Sequence, residues 1–559
     1  MTLVDPTVQP STAEETAPET VGDIIVATLA AAGVAEAFGV ISIHNMPILD
    51  AIARTGALRF TTARGEAGAV NMADAASRVT GKPAVAITST GTGAGNGCGG
   101  LIEAASAGSP LLHLTGQIDS AYLDRGWGFI HEAKDQPGWL ASVSKAFYRI
   151  DRPETASSVI AHAVATALTP PMGPVSIEIP IDVQKTHVSG PAPPPVGTPK
   201  QVATVGGMDA IVEIVRAAKR PLLWLGGGAK GAGGPARMLA DMGFGVVTSV
   251  QGRGTLDERH QRALGSFTAT PATEALYRQS DLLIVAGSHL RSNETRTYGL
   301  PLPETLVRID IDPKARDRSY RAAAFCEADC AAALEVLANR LNGQFHVDAA
   351  WDAAISTAKA ENLARLRRDA GPYAALLDAI DVTLPSDGLW VRDITLSNSI
   401  WGNRWPLLDR PGRLAHAVGG GIGQGLTQAI GAGLATGKPV LALIGDGGFM
   451  LNPGELATAT EVGLDLTILL MNDRGYGVIR NIQDAAYGGR RAYTDLALPD
   501  FESLAKAFRC TYRRIDDLGL AEQALAHRFA EGGVGILEID MTAIGPFGIA
   551  FAGPPVAKG

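Results

Sequence analysis

Cysteine is scarce, with only Cys98, Cys326, Cys330 and Cys510 among 559 residues. That number excludes a disulfide framework in a chain this long and fits a reducing, cytoplasmic compartment. Cys326 and Cys330 stand four apart in FCEADC, a spacing that predicts two thiols on one helix face. No second Cys or His pair completes a zinc set, so the pair reads as structural. Positive charge is also short. The formal net charge is −9, which argues against a polyanion such as nucleic acid as partner. No stretch approaches the ~18 apolar residues of a membrane span. The opening MTLVDPTVQPSTAEETAPET has neither a basic start nor an apolar centre, so it predicts a flexible arm over 1–19 and no signal peptide.

Glycine, by contrast, is abundant: 66 of 559 residues, against an average near ~7%. No Gly-X-Y period accompanies it, so neither collagen nor linker explains the surplus. At roughly 150 residues per domain, the length predicts three to four domains. Apolar runs of strand length recur: AVAIT (84–88), LLHLT (111–115), VSIEI (175–179), LLWL (222–225), LLIVA (282–286), LVRIDI (306–311), VLALI (440–444), LTILLM (466–471) and ILEID (536–540). Most are flanked by Ala/Leu/Glu-rich stretches of helical period. Strands alternating with helices predict α/β architecture with doubly wound parallel sheets. A Pro/Gly-rich stretch and a charged helical one mark the breaks. The expected division is 20–186, a linker at 187–203, 204–345, a helical linker at 346–369, 370–545, and a Gly/Pro-rich tail at 546–559.

The segment PVLALIGDGGFMLNPGELATATEVGLDLTILLMNDRGYG carries the most specific signal. One buried strand ends at Gly445-Asp446-Gly447 and the next at Asn472-Asp473, with 24 residues between Gly447 and Asn472. That gap holds one helix and a return strand, so both acidic groups emerge on one sheet edge. Glycines admit a ligand close to the backbone, and the following helix offers N–H groups to an anion. Two side-chain oxygens and a carbonyl facing phosphate oxygens make an octahedral Mg²⁺ site. A lone GDG would be no more than a tight turn after a strand; the second strand end makes the reading specific.

With these residues the chain resembles the thiamine diphosphate (ThDP) enzymes of the acetolactate synthase, benzaldehyde lyase and 2-oxo acid decarboxylase superfamily. The resemblance covers about residues 20–545. It implies three domains, which bind the pyrimidine, form the centre, and bind the diphosphate. It implies metal ligation by Asp446, Asp473 and the carbonyl of Gly475. The family usually has Asn where Asp473 stands, so one more negative charge is expected, offset by Arg474 or by the metal itself. In TTARGEAGAVNMADAASRVTG the family's Glu falls at Glu66, with Gly65 where His is frequent. The implied task of Glu66 is to hydrogen-bond a pyrimidine nitrogen and promote the amino–imino tautomer that takes the thiazolium C2 proton. On its own, a Glu at a helix start would be charge compensation.

Other matches extend the implied cofactor set to Gly91, His416, Gly420, Ile422, Gly448 and Tyr476. Ile422 takes the place of the bulky residue that keeps the coenzyme bent. STGTGAGNGCGG (89–100) resembles the family's Gly-rich turn after the second strand. GGGAKGAGG (226–234) nominally contains G-x-G-x-x-G, but no acidic residue closes the next strand. The central domain holds FAD or ADP in some family members and nothing in others, and the latter is favoured. Glu66 and the metal clamp belong to different subunits in the family, which implies a homodimer at least and commonly a homotetramer.

Substrate-side positions are partly informative. Simple pyruvate decarboxylases have an adjacent His-His pair and a Glu where this chain has Ile479; no His-His occurs here. His44 falls where benzaldehyde lyase has an active-site His, and His131 where the family has Gln. Both would move protons on the adduct's hydroxyl. The alternative for each is a hydrogen-bonded structural His, and the catalytic reading is favoured. Val478 and Ile479 are expected to form an apolar wall. The expected activity is ThDP- and Mg²⁺-dependent carbon–carbon ligation or cleavage on a 2-oxo acid or 2-hydroxy ketone, acetolactate synthase-like. Alternatives are benzaldehyde lyase-like or 2-hydroxyacyl-CoA lyase activity on an acyl-CoA, then 2-oxo acid decarboxylation, then FAD-dependent oxidation.

Overall fold

The computed structural model describes residues 20–188 and 207–553. The expected arm at 1–19, the linker from 189 to 203 and the tail beyond 553 lie outside the described residues. Three six-stranded sheets form, and every pairing within them is parallel.

The first sheet is built from β1 Glu36–Gly39, β2 Arg59–Thr62, β3 Ala84–Thr88, β4 Leu111–Gln117, β5 Ala146–Arg149 and β6 Val175–Pro180, in the order β2-β1-β3-β4-β6-β5. The second uses β7 Pro221–Leu225, β8 Gly245–Thr248, β9 Ala263–Gly265, β10 Leu282–Ala286, β11 Leu306–Asp310 and β12 Ala324–Glu327, in the order β12-β11-β10-β7-β8-β9. The third uses β13 Leu389–Arg392, β14 Leu414–His416, β15 Val440–Gly445, β16 Leu466–Asn472, β17 Thr511–Ile515 and β18 Val534–Asp540, in the order β14-β13-β15-β16-β18-β17. The first and third sheets thus share one strand order, and the second has the dinucleotide-fold order. Ligands of open α/β sheets bind where the winding reverses, outside the carboxyl ends of the strands. Those points are β1/β3, β7/β10 and β13/β15.

The chain divides into two compact units. One holds the described residues up to Pro199 with Ala417–Gly437 and Asn452–Leu464; the other holds the described residues of Lys200–His416, Lys438–Leu451 and Asp465–Gly559. In the first unit the helix Glu66–Thr80 packs against Thr92–Ala107 and Gly425–Thr436. These contacts are close because glycine makes them. A Cβ at Gly100 would lie 2.7 Å from Val70, and one at Gly431 would strike the Met72 backbone.

Several local expectations are corrected. Cys326 lies in β12 and Cys330 opens the helix Cys330–Leu341, so the thiols share no helix face; the Asp329 N-cap breaks the segment between them. The stretch 89–100 follows β3, not a second strand, and from Thr92 it is helix, not turn. The single helix expected after Gly447 is two short ones, Asp446–Phe449 and Glu455–Glu461.

No helix among the described residues is long and apolar enough to cross a membrane.

Candidate functional site

In the first unit, Glu66 opens the helix Glu66–Thr80, following an extended Gly65. Its carboxylate accepts a 3.1 Å hydrogen bond from Asn96 Nδ2 on the neighbouring helix. A Cβ at Gly93 would stand 3.0 Å from Glu66 Oε1, so glycine there leaves room for the carboxylate. The preceding turn is tied down by Glu455, a buried acid that accepts from Arg64 N at 3.0 Å and Thr458 Oγ1 at 2.7 Å. Burial pushes the Glu455 carboxyl up.

Gly91 forms the turn at the end of β3 with φ +58°, a conformation that favours glycine. Its N–H donates to Gln136 Oε1 at 2.7 Å, and Gln136 Nε2 donates to the buried Glu178 at 2.6 Å. Gln117 and Arg149 donate to the same carboxylate at 3.0 and 2.6 Å. This network holds the turn from beneath, at the β1/β3 reversal. On top of it sit His44, in the loop after β1, and His131. Their rings meet edge to face with centroids 5.1 Å apart. His44 is buried, and its Nδ1 has no hydrogen-bond partner. Burial and the neighbouring His131 lower its pKa, so the ring is neutral at pH 7. Gln184 fixes the His44 backbone by donating to its carbonyl at 2.7 Å.

The segment 417–423 also belongs to the first unit. Gly420 and Gly423 have φ +86° and +85°, and Ile422 is half-exposed. The segment is held by Glu103, which is 2% exposed and accepts the N–H of Gly419 at 2.8 Å and of Val418. Glu103 also accepts from Arg78 Nη2 at 2.8 Å, and Arg78 Nε donates to the fully buried Asp74 at 2.9 Å.

In the second unit, β15 ends at Gly445 and β16 at Asn472, side by side as expected. Asp446 is buried; its two oxygens accept from Gly447 N and Gly475 N, each at 2.8 Å. Its carboxyl faces that of Asp473. Burial raises both pKa values, and the charge of Asp473 raises that of Asp446 further. The adjacent Asn472 is committed elsewhere. Its oxygen accepts from Arg474 N at 3.1 Å, and its nitrogen donates to Glu538 at 2.7 Å. The cation acting on Asp473 is Arg480, not Arg474 as expected; Arg474 is exposed, whereas Arg480 donates to the Asp473 carbonyl at 3.0 Å. The Tyr476 ring covers Gly447, where a Cβ would lie 2.7 Å from it, and Gly448 is buried beside it. Val478 and Ile479 lie in the first turn of Gly477–Ala486, the former partly and the latter 48% exposed. His416 closes β14 and is buried. A cleft of about 490 Å³ near Arg259 and Arg413 touches none of these residues.

Among the described residues no cluster of three His, Cys, Asp or Glu makes a metal cage. Two facing carboxylates, one buried and one half-buried, beside the buried Gly475 suit a different arrangement, in which protein supplies part of an octahedron and phosphate and water the rest. The donor set fits Mg²⁺. In the central sheet, Gly226 N–H donates to Ala286 O at 2.8 Å and Gly228 N–H to Gly287 O at 3.0 Å. A Cβ at Gly228 would lie 3.0 Å from the Gly287 Cα, so these glycines serve the β7/β10 loop contact.

Sequence reasoning missed Glu103, Glu178, Glu455, Gln136 and Arg480. An acid inside an apolar helix or strand, such as Glu103 in GGLIEAASA or Glu178 in VSIEIP, was the available signal.

Comparison with known proteins gives the class of enzyme and its family. The chain matches the N-terminal, central and C-terminal domains of the thiamine pyrophosphate enzymes over residues 19–138, 208–337 and 397–539. It is 32% identical over 533 residues to the probable 2-ketoarginine decarboxylase AruI of Pseudomonas aeruginosa, covering 93% of this chain and 94% of that protein. It is 28% identical over 453 residues to acetolactate synthase isozyme 1 large subunit of Escherichia coli, covering 79% of each chain. A probable acetolactate synthase large subunit of Methanocaldococcus jannaschii is 27% identical over 525 residues, covering 88% and 87%.

The chain belongs to the thiamine pyrophosphate enzymes.

Proposed function

We propose that this protein is a ThDP- and Mg²⁺-dependent enzyme that makes or breaks a carbon–carbon bond next to a carbonyl, on a 2-oxo acid or 2-hydroxy ketone, with acetolactate synthase-like ligation as the leading reaction. The observation that carries it is the buried Asp446 facing the half-buried Asp473 at adjoining strand ends, with the half-buried Glu66 carboxylate at the head of a helix. When bound, ThDP supplies a nucleophilic carbon and an electron sink for the adjacent bond.

The residues divide the work. Asp446, Asp473 and the Gly475 carbonyl hold the metal, and Gly445, Gly447, Gly448 and Tyr476 shape the phosphate end. Glu66 holds a proton against the pyrimidine, and Asn96 keeps its carboxylate pointed. Gly91, Gly420, Ile422 and His416 line the coenzyme. Val478 and Ile479 exclude water from the acyl group. The neutral His44 accepts or returns a proton, with His131 as its neighbour. Burial of Asp446 against Asp473 supports this division, as does the commitment of Asn472 to Glu538. The first unit carries Glu66 and the second the Asp pair, and a homodimer, or a homotetramer built from it, completes each site. The pyrimidine-binding region is 20–186, the central 204–345 and the diphosphate-binding 370–545.

A second reading is 2-oxo acid decarboxylation, favoured by the likeness to the 2-ketoarginine decarboxylase. The chain has no His-His dipeptide, yet His44 and His131 meet in space, which supplies two imidazoles at one place. Ile479 still stands where simple pyruvate decarboxylases have Glu. A substrate panel separates the readings. Purified protein with ThDP and Mg²⁺ is given pyruvate, 2-ketoarginine, benzoin or a 2-hydroxyacyl-CoA, and CO₂, aldehyde and ligated product are measured. Acetolactate from pyruvate supports ligation; aldehyde with stoichiometric CO₂ from 2-ketoarginine alone supports decarboxylation. No turnover of any of them would sink both.

A further inference from the structure

Away from this site, the second unit holds a group of buried hydrogen-bond donors that lack acceptors. Arg253, in the turn after β8, and Arg392, the last residue of β13, are both fully buried. Arg253 pairs with Glu258 at 2.6 and 2.8 Å, and its Nη2 also reaches the carbonyls of Arg404 (3.3 Å) and Pro406. Arg392 donates from Nη1 to Asn398 Oδ1 at 2.6 Å and to Asn403 Oδ1. Arg404 donates from Nη1 to the carbonyls of Ser399 and Ile400, each at 3.2 Å. Among the described residues, only Arg253 of these three is paired with a carboxylate.

Six solvent-shielded polar atoms remain without a partner: Arg253 Nη1, Arg392 Nε and Nη2, Ser397 Oγ, Trp401 Nε1 and Arg404 Nε. All can donate, and five cannot accept. They belong to the segment 392–404 or to the one arginine that reaches into it. Arg404 has the Asp369 carboxylate near it, but Arg253 and Arg392 with the single Glu258 carboxylate leave one positive charge uncompensated, and a guanidinium does not escape by losing its proton. Burial and the facing Arg253 destabilise the Arg392 cation, with Glu258 alone opposing them. An ion so enclosed costs several kcal/mol unless it is matched. Water would satisfy donors singly, but it brings a donor of its own and no charge. A negatively charged, acceptor-only ligand meets both deficits, and the complete enclosure of Arg253 and Arg392 limits it to a monatomic size.

We propose that the Arg253–Arg392 cluster is a binding site for one halide ion. Arg253 follows a strand of the second sheet and Arg392 ends a strand of the third, so the ion ties the two sheets together within one unit. β13 pairs directly with β15, which leads into Asp446.

The test replaces chloride with bromide during purification and crystallisation of the full-length protein, with diffraction recorded at the bromine edge. One anomalous peak per chain is expected within hydrogen-bonding reach of Arg392 Nε or Nη2 and Arg253 Nη1. Arg392→Met, which keeps the aliphatic stem, should lose the peak. Wild-type maps showing no anomalous signal there, or only water, overturn the proposal. Should Arg392→Met not fold, the wild-type map alone decides.

Discussion

The Glu103 carboxylate accepts the backbone N–H of Gly419 at 2.8 Å, so an acid buried in one helix fixes a glycine-rich turn more than three hundred residues away in sequence. A Cβ at Gly419 would stand 2.8 Å from that carboxylate, which makes the contact specific to glycine. Glu103→Gln turns an amide NH₂ against one of the two N–H groups and removes the charge facing Arg78. The local cost is about 1.5–3 kcal/mol. We expect faster proteolysis at 417–421 and a ThDP Kd raised about tenfold or more, measured by titration calorimetry. Unchanged affinity and cleavage would show that the turn holds itself.

Glu66→Gln keeps the size and the hydrogen-bonding reach of the side chain but not its charge. Coenzyme and Mg²⁺ should still bind, while turnover falls roughly 10²–10⁴-fold. Binding is read by quenching of intrinsic fluorescence and turnover by CO₂ release. A wild-type rate would remove Glu66 from the chemistry.

Asp446 and Asp473 make the metal-free protein sensitive to pH in a direction opposite to that of a typical salt-bridged acid. Their folded pKa values lie above the unfolded ones, so between about pH 4 and neutrality the folded state retains protons that the unfolded state has released. Their contribution is therefore present at low pH and lost toward pH 7. Metal-free Asp473→Asn should lose less stability than wild type between pH 5 and pH 7.5. Mg²⁺ should protect wild type more at the upper pH. Parallel melting curves for the two proteins across this range would contradict the pairing.

Removing the imidazole in His44→Ala should lower turnover at least about tenfold with whichever substrate is processed. Because burial and His131 lower the His44 pKa, the acid limb of kcat/KM should lie below pH 6.5, the ordinary value for His. A limb above that value, or full activity in the alanine variant, would return His44 to a structural role.

The strands legible in the sequence share one property. AVAIT, LLIVA and VLALI lie inside their sheets, covered on both faces, and so read as unbroken apolar runs. The unread strands are the short outer ones. RFTT at β2 and TYRRI at β17 are edges with exposed positions, and EAFG at β1 lies beside such an edge. The Asp446/Asp473 placement was legible because the spacing of two interior strands dictates it. The meeting of His44 with His131 was not, since it depends on two loops joining at a sheet reversal. Glycine was legible only in part. Turn positions such as Gly91 could be inferred, whereas Gly100 and Gly431 serve helix contact, which no local pattern reveals.

Gly91 and His131 constrain each other through the backbone. A Cβ on Gly91 would collide with the His131 carbonyl, and His131 itself sits at φ +69°. In a saturation library these positions should therefore tolerate change unequally. Position 91 would admit glycine alone. Position 131 would admit Asn, Asp or Gly as folded proteins, because those residues accept the same backbone region, and exclude β-branched residues outright. Survivors at 131 would separate the demand of the loop from the demand of the chemistry, a distinction the native histidine conceals by meeting both.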